Sequence, residues 1–485
     1  MAKPLYLTST LPYVNADPHI GFALEMVQAD ALARYRRLTG DEVFFNTGTD
    51  EHGQKIAQKA AEEGQEVQKY VDHYAGEFAK LRGALDLSYD AFIRTTDPHH
   101  ITAAQALWKR CEAKGDIYKK KYKGLYCVGD EAFVKESDLV NGKCPNHPTM
   151  EPQEVEEENY FFRLSAYQDK LLAYLSQTGV IVPEWRREEA LNFVKQGLED
   201  FSISREKSRM DWGIPVPGDD TQVMYVWFDA LTNYISTLGW PCSAKATQGK
   251  PDECLFEKFW VNGETLQLAG KDQVRFQSVM WQAMLMSGGL RNTDRVVYHG
   301  FITSGGQKMS KSIGNVIDPL SVAAEYGTDA LRYFLLRHIH PFEDSDFTME
   351  KFKESYNADL ANGLGNVTAR IMTLAEANLP KPIARPEPVG FPEAYTQALE
   401  KFEYHKALDY VWSGIQALDQ KISETEPFKL IKTDKEKGVA LIAELAAELY
   451  AIVRMLSPFM PDTNAKIKET ILANRKPPTL FPRKE

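Results

Sequence analysis

The sequence predicts an α/β protein: a doubly wound parallel sheet with an inserted module, followed by an all-α C-terminal helix bundle. Three observations point there. Near the N-terminus, two short runs of strand formers flank one amphipathic helix, the pattern of a βαβ unit. The α/β pattern breaks off near residue 116 and resumes near residue 206. Beyond about residue 350 the apolar spacing is helical to the end.

The elements follow in order. Leu5-Tyr6-Leu7-Thr8 reads as a strand, and Pro12, Asn15, Asp17 and Pro18 punctuate the loop after it. A helix is expected from about Ile20, with Leu24, Val27, Ala31, Tyr35 and Leu38 on one face and Gly40 just past its end. Val43-Phe44-Phe45 forms the second strand, ending at Thr47-Gly48-Thr49-Asp50. The inserted module opens with Lys119-Lys120-Lys121 and carries a Cys/His cluster. Met224-Tyr225-Val226-Trp227 and Val296-Val297-Tyr298 read as later strands. Long helices are expected over 398–422 and 436–456, after a linker rich in proline at 380–392. There is no internal repeat and no low-complexity tract.

Length and composition bound the function classes. A chain of 485 residues, 43% hydrophobic and 26% charged, is ordinary for a soluble globular protein of roughly two to four domains. It needs no disulfide or metal staple to build a core. Fifty-seven basic against 68 acidic residues give a formal charge of −11, which excludes a uniform polyanion-binding coat but leaves room for a local basic stripe. No signal peptide fits the N-terminus, and Glu444, Glu448 and Arg454 break the most apolar helical stretch, so no membrane span is expected. Five cysteines, at 111, 127, 144, 242 and 254, suggest a reducing, cytoplasmic setting.

Two motifs carry chemistry. Pro18-His19-Ile20-Gly21 sits where the first loop enters a helix, and a helix N-terminus after a parallel strand favours an anion. His19 can donate to a phosphate oxygen, and Gly21 lets a base or phosphate approach the backbone; a histidine that only caps its helix is the plainer alternative. Lys308-Met309-Ser310-Lys311-Ser312 follows the strand at 295–299 and a Gly305-Gly306 hinge. Two lysines bracketing small residues on a mobile loop suit the charge that develops on a triphosphate, whereas one solvated basic loop would be unremarkable on its own. The two signals together, at opposite ends of an α/β chain, favour the chemical reading.

Those two motifs resemble the signature pair of class I aminoacyl-tRNA synthetases. Further blocks make the chain similar to the methionyl-tRNA synthetase family along nearly its whole length. They are Leu11-Pro12-Tyr13-Val14-Asn15, Gly48-Thr49-Asp50-Glu51-His52-Gly53, Tyr225 to Tyr234, Gly270-Lys271-Asp272, and Tyr326 to Tyr333. The resemblance implies a Rossmann-like catalytic domain over 1–115 and 206–315, a connective module with a zinc knuckle at issue over 116–205, a stem-contact linker over 316–350 and an anticodon-binding helical domain over 351–485. It implies activation of methionine with Mg-ATP to methionyl-adenylate, then transfer to the 3′ end of initiator and elongator methionine tRNA. A carboxylate is already an anionic nucleophile, so the first step needs positioning and charge stabilisation rather than a base.

Residue roles come by the same resemblance. His19, Gly21, Lys308 and Lys311 would hold the ATP phosphates, with Lys311 closest to the pentavalent phosphorus. Gly270 and Asp272 would contact the ribose, and Ile302 the adenine. Asp50 would hold the methionine ammonium and Arg205 would assist activation. Leu11, Tyr13, Trp227, Ala230, Leu231 and Tyr234 would form the methionine pocket, where aromatic walls suit a polarizable thioether. From spacing alone, Trp227 and Tyr234 would be ordinary core residues. Asn366 and Arg370, four residues apart on one helix face, and Phe428, where the family usually has Trp, would read the anticodon; on residues alone Phe428 reads as core and Arg370 as surface charge.

Three positions depart from the family pattern. Phe22 stands where the first signature usually has a second histidine, and Gln273 and Gln277 replace Ile and His. Phe22 cannot donate to a phosphate, and buried amides need partners. Cys127, Asp130, Cys144 and His147 have metal-knuckle spacing, but Asp130 takes the place of a cysteine, which leaves zinc, a knuckle that has lost its metal, and plain core cysteines all open. A monomer is expected, since the chain ends without the further tRNA-binding domain of some relatives. Other readings are a class I enzyme for another aliphatic amino acid, a non-catalytic tRNA-binding paralogue, and a small-molecule nucleotidyltransferase. A module of about 90 residues is too short for the usual editing insertion of the first. The intact lysine motif opposes the second, and the helical C-terminal half opposes the third.

Overall fold

The structure is a computed structural model that describes residues 3–127, 132–134, 136–145, 151–242, 255–309, 314–386 and 390–485. Contacts divide the chain into two compact units. The first comprises Met1–Pro18, Asp41–Lys80 and Tyr89–Tyr298, and the second His19–Gly40, Leu81–Ser88 and His299–Glu485.

The first unit begins with strands β1 (Pro4–Thr8), β2 (Glu42–Thr49), β3 (Ala91–Arg94), β4 (Ile117–Cys127), β5 (Ala132–Val134) and β6 (Gln153–Phe162). It continues with β7 (Ile181–Val182), β8 (Phe201–Ser202), β9 (Ser204–Glu206), β10 (Pro215–Val216), β11 (Asp219–Met224), β12 (Glu264–Gly270) and β13 (Arg295–His299). The main sheet has the order β3-β2-β1-β12-β13-β7. β1 pairs in parallel with both β2 and β12, setting Leu5 beside Val43 and Thr8 beside Asn46 and Gln267. Leu5, Leu7 and Phe45 are fully buried, as expected of strands covered on both faces. Trp108, Trp260 and Trp281 fill the core, with Trp108 edge-on to Phe228 at 5.3 Å. The expected βαβ opening is therefore present, and with it the doubly wound fold.

The inserted segment forms a four-stranded antiparallel sheet, β5-β4-β6-β8, and also returns β7 to the main sheet beside β13. Its lysine run is answered within the unit. Lys121 stands opposite Glu158 and Lys123 opposite Glu156, Lys123 pairs with Glu154 at 2.8 Å, and Lys119 reaches Asp219 at 2.9 Å. That ribbon is a charge ladder rather than a basic stripe. Cys111, Cys127 and Cys144 are buried thiols, but Cys242 is disulfide-bonded, so a uniformly reduced set is not what the structure holds. The expected strand at 224–227 is also corrected. β11 ends at Met224 and a short helix, Val226–Leu231, begins at once.

The second unit is built on the helix Ile20–Leu38, which Gly40 follows with φ of +100°. The periodic face is buried as far as Tyr35, whereas Leu38 is exposed. The opposite face is buried too, carrying Glu25, Gln28 and Asp30. Asp30 meets Arg332, itself wholly buried, at 2.7 Å. Arg332 also donates to the carbonyls of Leu85, Pro458 and Phe459. One guanidinium thus ties the N-terminal helix to Thr328–Arg337 and to the C-terminal bundle. The bundle follows the described parts of the proline linker. Its expected helix over 398–422 is two helices, Glu393–Glu400 and Tyr404–Thr425, parted where Phe402 takes φ of +60°. The next long helix spans Lys435–Arg454. Among the described residues no helix is long and apolar enough to cross a membrane.

Burial pushes the Asp30 carboxyl up, but the guanidiniums of Arg332 and Arg34 and the donors of Ser88 outweigh it and hold the group below its ordinary 3.8. A depressed folded value means stabilisation that is complete above the ordinary value and is lost as pH falls from there through the depressed one. Asp30→Asn should cost about 3–5 kcal/mol at neutral pH, the penalty of leaving Arg332 buried without its carboxylate. Urea midpoints measured from about pH 7 to about pH 3 should show the gap between variant and wild type closing in acid.

Candidate functional site

In the first unit, the residues expected to meet an amino acid lie on two supports. The first is the loop after β2. Tyr13 bridges to Asp50, the Asp50 amide donates to the Pro12 carbonyl at 2.9 Å, and Val14 donates back to Asp50 at 3.1 Å. Leu11 is half-buried on the same approach. The neighbouring Glu51 carboxylate is fully buried and receives Arg94 at 2.6 and 2.8 Å, Thr49 at 2.6 Å and Thr96 at 2.6 Å. Trp212 donates to the Glu51 carbonyl at 2.6 Å. The loop that presents Asp50 is therefore held by side chains as well as by backbone.

The second support is the pair of short helices Val226–Leu231 and Asn233–Ser236. Trp227 is half-buried and stacks on Phe276 with 3.7 Å between ring centroids. Leu231 and Tyr234 are buried and Ala230 is partly exposed. Gln277 is fully buried, and its amide donates to the Tyr234 hydroxyl. The departure at 277 thus places a hydrogen-bond donor against Tyr234. Gln273 donates to the exposed Asp272 at 3.0 Å, just beyond Gly270 at the end of β12. Arg205 is buried, with its guanidinium 4.0 Å from the Tyr225 ring centre and bonded to Ser202 at 2.8 Å and to the Ser204 carbonyl at 2.7 Å.

In the second unit, His19 caps the helix Ile20–Leu38. Its Nδ1 accepts from the Gly21 amide at 3.1 Å, which leaves the ring proton on Nε2 in the neutral tautomer. A Cβ at residue 21 would lie 2.8 Å from the His19 ring, so the glycine is required by the cap itself. Phe22 packs on His19 at 4.4 Å. Ile20 donates to the Ile317 carbonyl at 3.0 Å, joining the helix start to the segment just past the lysine motif. Glu25 meets His299 at 2.9 Å.

The expected hinge at 305–306 is a two-residue turn. β14 (Ile302–Ser304) and β15 (Gln307–Lys308) pair across Gly305 and Gly306, with φ of +63° and +72°, a turn that glycine supplies without strain. β14 also runs parallel to β16 (Ser345–Asp346). Asp346 braces the turn by accepting from Gly306 at 2.8 Å and from Thr303 at 3.0 Å. Ile302 is buried at the root of this hairpin and Lys308 is its last strand residue. Ser310, Lys311 and Ser312 lie outside the described residues.

Cys127 and Cys144 are both buried, but Asp130 and His147 lie outside the described residues. Among the described residues no group of three or more histidines, cysteines and acids could hold a metal. In the bundle, Asn366 is exposed at the start of Asn366–Asn378, and Arg370 pairs with Asp419. Phe428 is 43% exposed, not a core residue, and Lys429 sits over its ring at 5.9 Å.

Sequence reasoning missed four residues that shape this site. Asp229 is fully buried between two histidines: His52 Nδ1 at 2.7 Å and His100 Nε2 at 2.8 Å. His100 Nδ1 in turn meets Ser236 at 2.8 Å. Burial pushes the Asp229 carboxyl up, yet the two histidines win and hold it low. The fourth is Phe276, under Trp227. The signal for Asp229 and His52 was present, since both stand inside the motif blocks.

Known proteins match this arrangement. A family model described as tRNA synthetases class I (M) matches residues 5–155 and 148–372. A methionine–tRNA ligase from Caldanaerobacter subterraneus subsp. tengcongensis is 42% identical, covering 97% of this chain and 74% of its own length. One from Rhizobium meliloti is 40% identical, covering 97% and 92%. Among solved structures, Mycobacterium tuberculosis methionyl-tRNA synthetase in complex with methionyl-adenylate superposes with a TM-score of 0.87 at 36% identity, covering 100% of this chain and 99% of that one. The free-state form of the same enzyme gives 0.82 at 33% identity.

The Trp227–Phe276 stack is the most exposed part of the aromatic wall. Aromatic pairing adds about 0.5–1.5 kcal/mol beyond buried area, so Phe276→Leu should lose about 1 kcal/mol in denaturant melts.

Proposed function

The chain belongs to the class I tRNA synthetases of the methionine type, and from that premise we propose that it activates methionine with ATP and charges methionine tRNA at the residues described above. The observation that carries the reading is the aromatic wall of Trp227 and Tyr234 linked to the braced Asp50 loop within one unit. An aromatic, polarizable wall with the Asp50 carboxylate on the linked loop suits a thioether amino acid whose ammonium needs a counter-charge.

The chemistry then runs in two balanced steps. A methionine carboxylate oxygen bonds to the α-phosphorus of ATP, the bond from that phosphorus to the β-phosphate bridge breaks, and pyrophosphate leaves. A hydroxyl of the tRNA 3′-terminal adenosine then bonds to the methionyl carbonyl carbon, the bond from that carbon to the adenylate oxygen breaks, and AMP leaves with the hydroxyl proton going to its phosphate or to water. Asp50 holds the ammonium, and Leu11, Tyr13, Ala230 and Leu231 join the two aromatics around the side chain. His19, protonated on Nε2, donates to a phosphate oxygen, and Gly21 supports that cap. Lys308 and Lys311 stabilise the charge that builds on the phosphates, with Arg205 assisting. Asp272 and Gly270 take the ribose and Ile302 the adenine. Magnesium would come as part of the ATP substrate and offset the negative charge of its phosphates. For zinc, two buried thiols fit half of a structural knuckle, and no step depends on it.

The domain roles extend the same reading, with residues 1–115 and 206–315 catalytic, 116–205 connective, 316–350 in contact with the tRNA stem and 351–485 reading the anticodon. Exposed Phe428 suits a base-stacking platform, with Asn366 and Arg370 on the base edges. The protein acts as a cytoplasmic monomer.

Exchange of labelled pyrophosphate into ATP, with each of the twenty amino acids tested singly, should respond to methionine alone; exchange with another amino acid would overturn the pocket assignment. Lys311→Ala should lower the exchange kcat on the order of 10²–10³-fold while leaving the methionine KM nearly unchanged. Phe428→Ala should leave exchange intact and weaken tRNA use by about 1–3 kcal/mol in aminoacylation kcat/KM, the worth of one stacked base.

A further inference from the structure

We propose that Asp229 is a positioning residue for amino-acid binding, its carboxylate locking the Asp50 loop to the helices that carry Trp227, Leu231 and Tyr234. The proposal rests on the roles given above to Asp50 and Trp227, and it adds a residue assigned no contact with substrate.

The geometry is specific. Each oxygen of one fully buried carboxylate is taken by a different histidine from a different part of the chain, His52 at 2.7 Å and His100 at 2.8 Å. A carboxylate only accepts, so both ring nitrogens must donate. This fixes His52 with its proton on Nδ1 and His100 with its proton on Nε2. His100 Nδ1 then accepts from Ser236 at 2.8 Å. His52 is two residues from Asp50, and its ring packs on Trp212 at 5.5 Å. Trp212 in turn donates to Glu51 at 2.6 Å.

The pocket helices need such a lock. They have six and four residues, too few to hold their own direction by internal hydrogen bonds. His100 belongs to the long helix Pro98–Ala113, with two turns of buried apolar residues at Ala103, Ala104, Leu107 and Trp108. Through Asp229 and Ser236, that rigid helix sets the orientation of both short ones. Through Asp229 and His52, the same carboxylate sets the loop that presents Asp50. An ion pair serving stability alone would need no such three-way placement between the two supports of one pocket.

The test uses the full chain with Asp229→Asn, which keeps size but replaces one acceptor oxygen with a donor, so one histidine loses its bond. Methionine binding is read by calorimetry without ATP, and methionine-dependent pyrophosphate exchange gives KM and kcat. The methionine KM and Kd should rise on the order of tenfold, as misplaced binding groups do, with kcat and the ATP KM within about twofold of wild type. His52→Gln, which cuts the link to the loop and leaves His100 on Asp229, should shift the methionine KM in the same direction. An unchanged methionine KM in Asp229→Asn would overturn the proposal. So would equal rises in both KM values with a lowered melting temperature, or failure of both variants to fold, since either outcome makes Asp229 a general stability element. No methionine binding by the wild-type chain would instead remove the pocket reading on which the proposal stands.

Discussion

A carboxylate taken wholly out of water must be compensated, and the support under the proposed site residues of each unit follows from how that is done. Asp229 lies fully buried, where isolation would cost several kcal/mol, and two imidazole donors from distant segments answer it. Those donors make a loop and two short helices into one body. Glu51 repeats the device one step along the chain, with Arg94, Thr49 and Thr96. In the second unit Asp30 with Arg332 and Glu25 with His299 do the same beneath the helix that His19 caps. The Asp50 loop, the two short helices after β11 and the helix that His19 caps are therefore each held by buried polar pairs whose partners are hard to replace singly.

This design explains which parts of the fold were legible in the sequence. β1, the helix after it and β2 could be read because their periodicity is local, and Gly40 marks a backbone position that a side chain would strain. The helix at Val226–Leu231 could not. Met-Tyr-Val-Trp is a run of strand formers, and what makes it helical comes from elsewhere: His52 and His100 on Asp229 and Phe276 against Trp227. The burial of Glu25 and Asp30 on Ile20–Leu38 has no local signal for the same reason, since their partners are about 300 residues away in sequence. Phe402 divides an expected single helix through a left-handed residue that is neither glycine nor asparagine, so no local signal announced it.

The candidate site divides along the same line. The motif residues were legible as chemistry only together, because a histidine at a helix start or lysines on a loop each have a plainer use when taken alone. The residues that hold them in place were not, because a buried histidine such as His100 and a phenylalanine such as Phe276 look like any other core side chain until their partners are known. The three departures from the family pattern acquire physical meaning only in place. Gln277 donates to Tyr234, which is work for a hydrogen-bond donor of that reach and not for histidine alone. Gln273 leans on Asp272, and Phe22 covers the face of His19. None of the three leaves its neighbour without a contact, so the reading of a chain that has lost its chemistry finds no physical support at these positions.

The site residues of the two units also differ in what kind of support they have, and the difference fits the role proposed for each group. Recognition of a small apolar side chain can draw only about 1–3 kcal/mol from each methylene of difference, so a pocket must lose nothing to its own reorganisation. Buried pairs such as His52–Asp229 and Arg94–Glu51 meet that need, because moving either partner exposes an uncompensated charge to a low dielectric. Stabilising charge that develops on a phosphate asks for something else: donors aimed at positions that are empty until the reaction proceeds. Under the proposed roles the second unit would supply them from a helix start and from a hairpin, on backbone held by the His19 Nδ1 acceptor and by Asp346. In the proposed reading selectivity therefore rests on closed polar networks, and a substitution that opens one should be felt in methionine recognition before it is felt in phosphate chemistry.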